Sequence, residues 1–159
     1  MPVTGQETLQ LTTTPESVTF PETHYVFVEK VGPFATNAPL AWGELHKQIT
    51  QLEKQYTITR YFSLYKVDPQ IYRAGVSLAS APSRIPEGMK YEEFHGGKYG
   101  KFTLTGSYSN LPAACGRVAQ IVAEIKLPLR DDFNIENYVN DPRVTPEDQL
   151  ITEIMFPIA

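Results

Sequence analysis

Apolar and polar residues alternate over 25–31, where Tyr25, Phe27, Glu29 and Val31 share one face and Val26, Val28 and Lys30 the other. That two-residue period is a β-strand. After Gly32-Pro33 the period changes, with Trp42, Leu45, Ile49 and Leu52 on one stripe and Glu44, Lys47, Gln48 and Gln51 on the opposite side. This predicts a helix running to about residue 54. Thr36 or Asn37 is placed to cap its free N–H groups, and Pro39 is tolerated in the first turn. Ahead of it, 17–31 reads as strand with a break at Pro21, and 1–15 as a loose, Thr-rich arm. Behind it, 57–67 and 70–80 read as strands joined at Asp68-Pro69.

A Pro- and Ser-rich linker over 80–88 precedes a second pass through the same order. Residues 91–105 form a strand pattern interrupted near Gly96-Gly97, where a glycine marks a bulge. A helix capped by Ser109 or Asn110 follows to about Lys126, with Leu111, Ala114, Cys115, Val118, Val122 and Ile125 as its apolar stripe. Strands over 132–140 and 149–158 flank a polar loop.

The two passes match residue by residue. Tyr25 answers Tyr99, Gly32 answers Gly106 and Phe34 answers Tyr108 at a spacing of 74. One residue is then lost, and Asn37 answers Asn110, Pro39 Pro112, Trp42 Cys115, Leu45 Val118 and Tyr65 Tyr138 at 73. Two copies are too few for a solenoid. The expectation is an α+β fold made of a duplicated β-α-β-β unit with pseudo-two-fold symmetry. An antiparallel sheet carries both helices on one face, with a ligand groove between them. The chain reads as one domain over 1–159, with internal halves at about 16–80 and 89–159.

Composition narrows the function. A net charge of −4 without a block of Lys and Arg argues against direct nucleic-acid binding. Cys115 is the single cysteine, which suits a reducing cytoplasm, and neither a leader nor a membrane-spanning apolar run is read in the sequence. No P-loop or dinucleotide motif is present, His24, His46 and His95 lack metal-ligand spacing, and no cofactor is implied. Cys115 lies on an apolar helix stripe and reads as a structural thiol rather than a nucleophile. Glu153 stands out: alternation puts it with Ile151 and Met155 in a strand apolar on both faces, where a carboxylate is costly unless compensated. A pair with Arg73 or Arg117 would explain it, and so would a place on the groove floor facing a ligand. Glu136 and Tyr138 form a second acidic and aromatic pair on one strand face.

The stretch YVFVEKVGPF, the Ala41-Trp42-x-x-Leu45 helix start, GGKYGKFTLTGSYSNL, IENYVNDP with TPED after it, and the closing TEIMFPI resemble the GyrI-like small-molecule-binding domain, also called the AraC effector-binding domain. The resemblance implies a groove for amphipathic or cationic organic molecules. It assigns the groove glutamate to Glu153, the first-helix tryptophan to Trp42, the second helix-start aromatic to Tyr108, and the acidic–aromatic pair to Glu136 and Tyr138. The expected ligand-binding set is Glu153, Trp42, Tyr108, Tyr138, Tyr65, Phe34, Ile151 and Met155. No helix-turn-helix precedes residue 17, so the reading is a stand-alone member in which transcription regulation would need a separate protein partner. The alternatives within the family are a hydrolase of cyclopropane-bearing toxins, with Glu153 as general base and Tyr138 or Tyr108 as donor, and a gyrase-inhibitor-like protein.

Overall fold

The computed structural model describes residues 9–159. The expected order of elements holds. Strands β1 (Gln10–Leu11), β2 (Glu16–Phe20) and β3 (Thr23–Val31) lead into helix α1 (Phe34–Gln55), followed by β4 (Ile58–Lys66), β5 (Ile71–Leu78) and β6 (Lys90–Phe94). The second pass is β7 (Gly97–Thr105), a short 3₁₀ turn at Tyr108–Asn110, helix α2 (Leu111–Glu124), β8 (Asn134–Tyr138) and β9 (Ile151–Pro157). All nine strands join one antiparallel sheet in the order β1-β7-β9-β8-β4-β5-β3-β6, with β2 also on β7. Both helices lie on one face.

Three local expectations are corrected. Residues 10 and 11 of the expected loose arm are strand, paired with Thr105 and Leu104, while 1–8 lie outside the described residues. Helix α1 starts at Phe34, before Thr36 and Asn37, and has no side-chain cap. Asn37 instead donates its side-chain amide back to Val31 O at 3.2 Å. In the second copy Asn110 stands at the N-cap of α2 but makes no side-chain cap bond, and Ser107 caps the preceding 3₁₀ turn by accepting from Ser109 N.

The third correction concerns Gly96-Gly97, which is no bulge. It is the passage between β6 and β7, which sit at opposite ends of the sheet order. Only His95 and Gly96 join them, and only Pro21 and Glu22 join β2 to β3, so the two ends of the sheet must lie close together. The sheet therefore rolls up. Gly96 has φ +68, and a Cβ there would strike the backbone oxygen of Phe20. Beside that passage Arg130 donates to Lys98 O at 2.8 Å and Ile158 O at 2.9 Å.

Rolling buries both faces. Inside the roll lie Phe20, Tyr25, Phe27, Phe62, Phe94, Tyr99 and Met155. On the outer face, α1 packs Ala41, Leu45 and Leu52 against Val26, Val28 and Val76, and α2 packs Ala114 and Val118 against Phe102, Leu104 and Ile154. Each half thus buries its own helix on its own strands. Between the two halves β4 meets β8, in the register Tyr61↔Tyr138, Ser63↔Glu136 and Tyr65↔Asn134. Since 63 and 136 are equivalent positions of the repeat, the pseudo-dyad passes between Ser63 and Glu136. No helix among the described residues is long and apolar enough to cross a membrane.

Candidate functional site

On the helix-covered face the dyad is lined with aromatic rings. Trp42 from α1 packs edge-on to Tyr138 with ring centroids 5.4 Å apart. Phe34, at the start of α1, lies 5.8 Å from Tyr65 and 6.0 Å from Tyr72. Tyr108, at the start of the second helical segment, meets Tyr138 edge-on at 5.6 Å. Five of the expected residues, Trp42, Tyr108, Tyr138, Tyr65 and Phe34, thus come together. Tyr72 and Ser63 join them, and sequence reading missed both. Their signal was only their parity with Tyr65 on the β4–β5 hairpin.

Glu136 sits at the centre of this ring, on the same face as Tyr138 because the two are two residues apart in a strand. A continuous chain of hydrogen bonds leads to it. Trp42 Nε1–H donates to Tyr72 Oη at 2.7 Å, Tyr72 and Ser63 are 2.8 Å apart, Ser63 and Tyr138 are 2.8 Å apart, and Tyr138 Oη donates to Glu136 Oε1 at 2.9 Å. From the other side Cys115 Sγ donates to Glu136 Oε2 at 3.3 Å. An ionised carboxylate only accepts, and an indole N–H only donates. The single proton of Tyr138 is therefore on Glu136, that of Ser63 on Tyr138, and that of Tyr72 on Ser63. Every donor in the chain is used, and all of them run toward Glu136.

The electrostatics follow from this placement. Glu136 lies deep in the protein while part of its surface still meets solvent, as at the bottom of a groove. Burial raises its pKa above the ordinary carboxylate value, and the hydrogen bonds from Tyr138 and Cys115 oppose that rise. Among the described residues no lysine, arginine or histidine pairs with it. Burial, followed by the charge of Glu136, also raises the pKa values of Tyr65, Tyr72, Tyr138 and Cys115. Cys115 is accordingly a protonated thiol, in keeping with a non-nucleophilic role. No group of three or more potential metal ligands occurs among the described residues.

Glu153 is elsewhere. Its strand neighbours Thr152 and Ile154 face the helices, so Glu153 faces into the roll together with Ile151 and Met155, away from the groove. Its carboxylate is satisfied there by Lys101 Nζ at 3.3 Å and by Asn137 Nδ2 at 2.9 Å. Neither Arg73, which pairs with Glu29, nor Arg117 reaches it. The expectation of Glu153, Ile151 and Met155 on the groove floor is therefore corrected, and the carboxylate of the groove is Glu136. Strand parity could not choose between the two faces because the roll buries both.

Beyond Tyr108 lies a recess of about 400 Å³, lined by Ser107, Tyr108, Ser109, Pro142, Thr145 and Leu150 among others.

Known proteins place this architecture. The C-terminal domain of EcmrR superposes with a TM-score of 0.73 at 16% identity, over 95% of this chain and 98% of that one. The structure of SAV2435 bound to tetraphenylphosphonium has a TM-score of 0.70 at 13% identity, over 91% of this chain and 93% of that one. A hydrolase from Listeria innocua has a TM-score of 0.57 at 14% identity, over 92% of each chain. At these identities the likeness is one of fold. No curated protein sequence matches the chain. Residues 13–159, nearly the whole chain, match the GyrI-like small molecule binding domain, and the protein belongs to that family.

Proposed function

We propose that the groove at the pseudo-dyad binds aromatic or amphipathic organic cations, with Glu136 as the counter-charge. The observation that carries this reading is a deep carboxylate, ringed by Trp42, Tyr65, Tyr72, Tyr108 and Tyr138, with no basic partner among the described residues. An uncompensated buried carboxylate is costly to the fold. A bound cation relieves that cost, and the aromatic faces add cation–π attraction. Because the protons of the chain all point at Glu136, the oxygens of Tyr72, Ser63 and Tyr138 offer a ligand only lone pairs. Such a surface attracts cations and disfavours anions. SAV2435 with its bound tetraphenylphosphonium is a structural relative that holds a lipophilic cation, which supports the same chemistry here.

The test is Glu136→Gln, titrated with tetraphenylphosphonium and with triphenylphosphine oxide as a neutral aryl control. The variant should lose about 1.5–3 kcal/mol of affinity for the cation, the scale of a charge-assisted contact, and much less for the neutral compound. Equal losses for both, or none, would exclude Glu136 as the counter-charge.

The pairing of Glu136 with Tyr138 supports a second reading, a hydrolase in which Glu136 activates water and the Tyr138 hydroxyl turns from Glu136 to protonate a leaving oxygen. A carboxylate with a raised pKa is suited to such a base. Product formation from a strained cyclopropane electrophile, abolished in Glu136→Gln, would establish it. Quantitative recovery of the electrophile would reject it.

A further inference from the structure

Every donor of the chain that ends on Glu136 is spent inside the protein, and the Tyr65 hydroxyl faces Cys115 Sγ. Tyr108 is different. Its Oη is buried and has no hydrogen-bond partner among the described residues, although its ring packs directly on Tyr138 and lines the adjoining recess. Buried hydroxyls are nearly always paired, and an unpaired one calls for an explanation. The equivalent residue in the first copy is Phe34, which packs on Tyr65 and Tyr72 with no hydroxyl at all. The scaffold therefore does not need an oxygen at this position. Burial, and then the charge of Asp141, favour the protonated phenol, so Tyr108 is a donor.

We infer that Tyr108 Oη is the donor subsite of the groove, and that it takes an ether, carbonyl or hydroxyl oxygen carried by the ligand. The inference rests on the cation-binding reading above and sharpens it. The preferred ligands are organic cations with a hydrogen-bond-accepting oxygen on the side that reaches Tyr108. Charge is read by Glu136 in the second half of the molecule, the aromatic body by Trp42, Tyr72 and Tyr138, and the oxygen by Tyr108.

Three pairs of 1-ethylquinolinium cations test it, with a methoxy group at ring position 5, 6 or 7 and the matched ethyl compound at the same position. Each pair differs only by O against CH₂. Calorimetric titration of the wild-type chain should favour the methoxy compound about five- to tenfold at one position or more, the scale of a single hydrogen bond. In Tyr108→Phe the preference should vanish, and the melting temperature should not fall. A preference absent at all three positions, or one that persists in Tyr108→Phe, overturns the inference. So does a clear loss of thermal stability in the variant, since the hydroxyl would then serve the fold. If both members of each pair bind equally and both weaken in Glu136→Gln, the cation site stands and the donor subsite falls. If the wild-type chain binds none of the six cations, both readings fall together.

Discussion

The two halves share a backbone plan and differ in what they bring to the dyad. The first half presents Trp42 and Ser63, and the second presents Cys115 and Glu136 at the equivalent positions. Matching the hairpin registers, in which Ser63 faces Ala74 and Glu136 faces Ile154, makes Tyr72 equivalent to Thr152. Tyr72 has hydrogen bonds to Trp42 and Ser63, whereas the hydroxyl of Thr152 is buried without a partner among the described residues. The first half thus supplies the outer donors of the chain, Trp42, Tyr72 and Ser63, and the second holds Glu136 together with Tyr138 and Cys115, which donate to it directly. Where the copies agree, they build the scaffold. Tyr25 and Tyr99 are both fully buried inside the roll, and each donates to a backbone carbonyl, Phe62 O and Phe133 O. The lesson is that duplication supplied a symmetric frame, and the chemistry lies in the few equivalent pairs that no longer match.

The strongest way to break this contrast is to restore symmetry at its centre. Ser63→Glu would place a second carboxylate opposite Glu136 on the neighbouring strand. Two such groups cannot both ionise at close range. The variant should lose about 3–5 kcal/mol at pH 8, the cost of an uncompensated buried charge, and recover much of it under acid. Chemical denaturation at pH 5 and pH 8 measures both, and equal losses at the two values would mean that the carboxylates do not meet.

Removing the acceptor sharpens the contrast with a smaller effect. The pKa of Glu136 is raised in the folded protein, so the native state holds its proton more tightly than the unfolded chain does. Its contribution is fully present below the unfolded value, about 4.3, and is lost as pH rises through the folded value. The groups facing it are Tyr138, Cys115, Tyr65 and Tyr72, all uncharged near neutrality because burial raises each of their pKa values. Glu136→Gln should flatten this fall and gain on the order of 1 kcal/mol at pH 7. A pH–stability profile that still falls in the variant would assign the dependence to another group.

A cation favours the ionised form, so affinity for tetraphenylphosphonium should rise with pH over the same window, with proton release on binding. Titration calorimetry in buffers of different ionisation enthalpy reads that proton directly. Binding without proton release throughout the window would separate the ligand from Glu136.

The smallest effects come from the equivalent pair Tyr72 and Thr152. Tyr72→Phe breaks the donor chain and should cost about 1 kcal/mol in thermal or chemical unfolding. Thr152→Val removes a hydroxyl that has no partner, and should be neutral or stabilising by a few tenths of a kcal/mol. The reverse ranking would show that the second half carries a polar network of its own.

Much of the frame was legible in the order of residues. The shift from a two-residue to a 3.6-residue period located both helices. The repeat matched Tyr25 to Tyr99 and Tyr65 to Tyr138 before any coordinates, and the α+β duplication with helices on one face follows from it. Local interactions govern such features, because propensity, turn chemistry and amphipathic stripes act within a few residues of sequence. Those same patterns, together with the family resemblance, singled out Trp42, Phe34, Tyr65, Tyr108 and Tyr138, whose rings come together on the helix-covered face.

What tertiary structure alone decided is which carboxylate lies among the aromatic rings on the helix-covered face. Strand parity establishes that Glu153 travels with Ile151 and Met155, and Glu136 with Tyr138. It does not say which face of the sheet meets the helices, since exchanging faces leaves the alternation unchanged. In a flat sheet with one wet side, an apolar neighbour would reveal the buried face. Here the two ends of the sheet come together at Gly96 and Phe20, both faces carry a buried apolar cluster, and the apolar company of Glu153 carries no direction. Lys101 neutralises Glu153 and Asn137 donates a hydrogen bond to it from separate strands, while Trp42, Ser63, Tyr72 and Cys115 reach Glu136 from α1, β4, β5 and α2, directly or through their hydrogen-bond chain. Those partners lie 16 to 94 residues from their carboxylates in the chain, and only the pairing of strands and the docking of helices bring them within hydrogen-bonding distance.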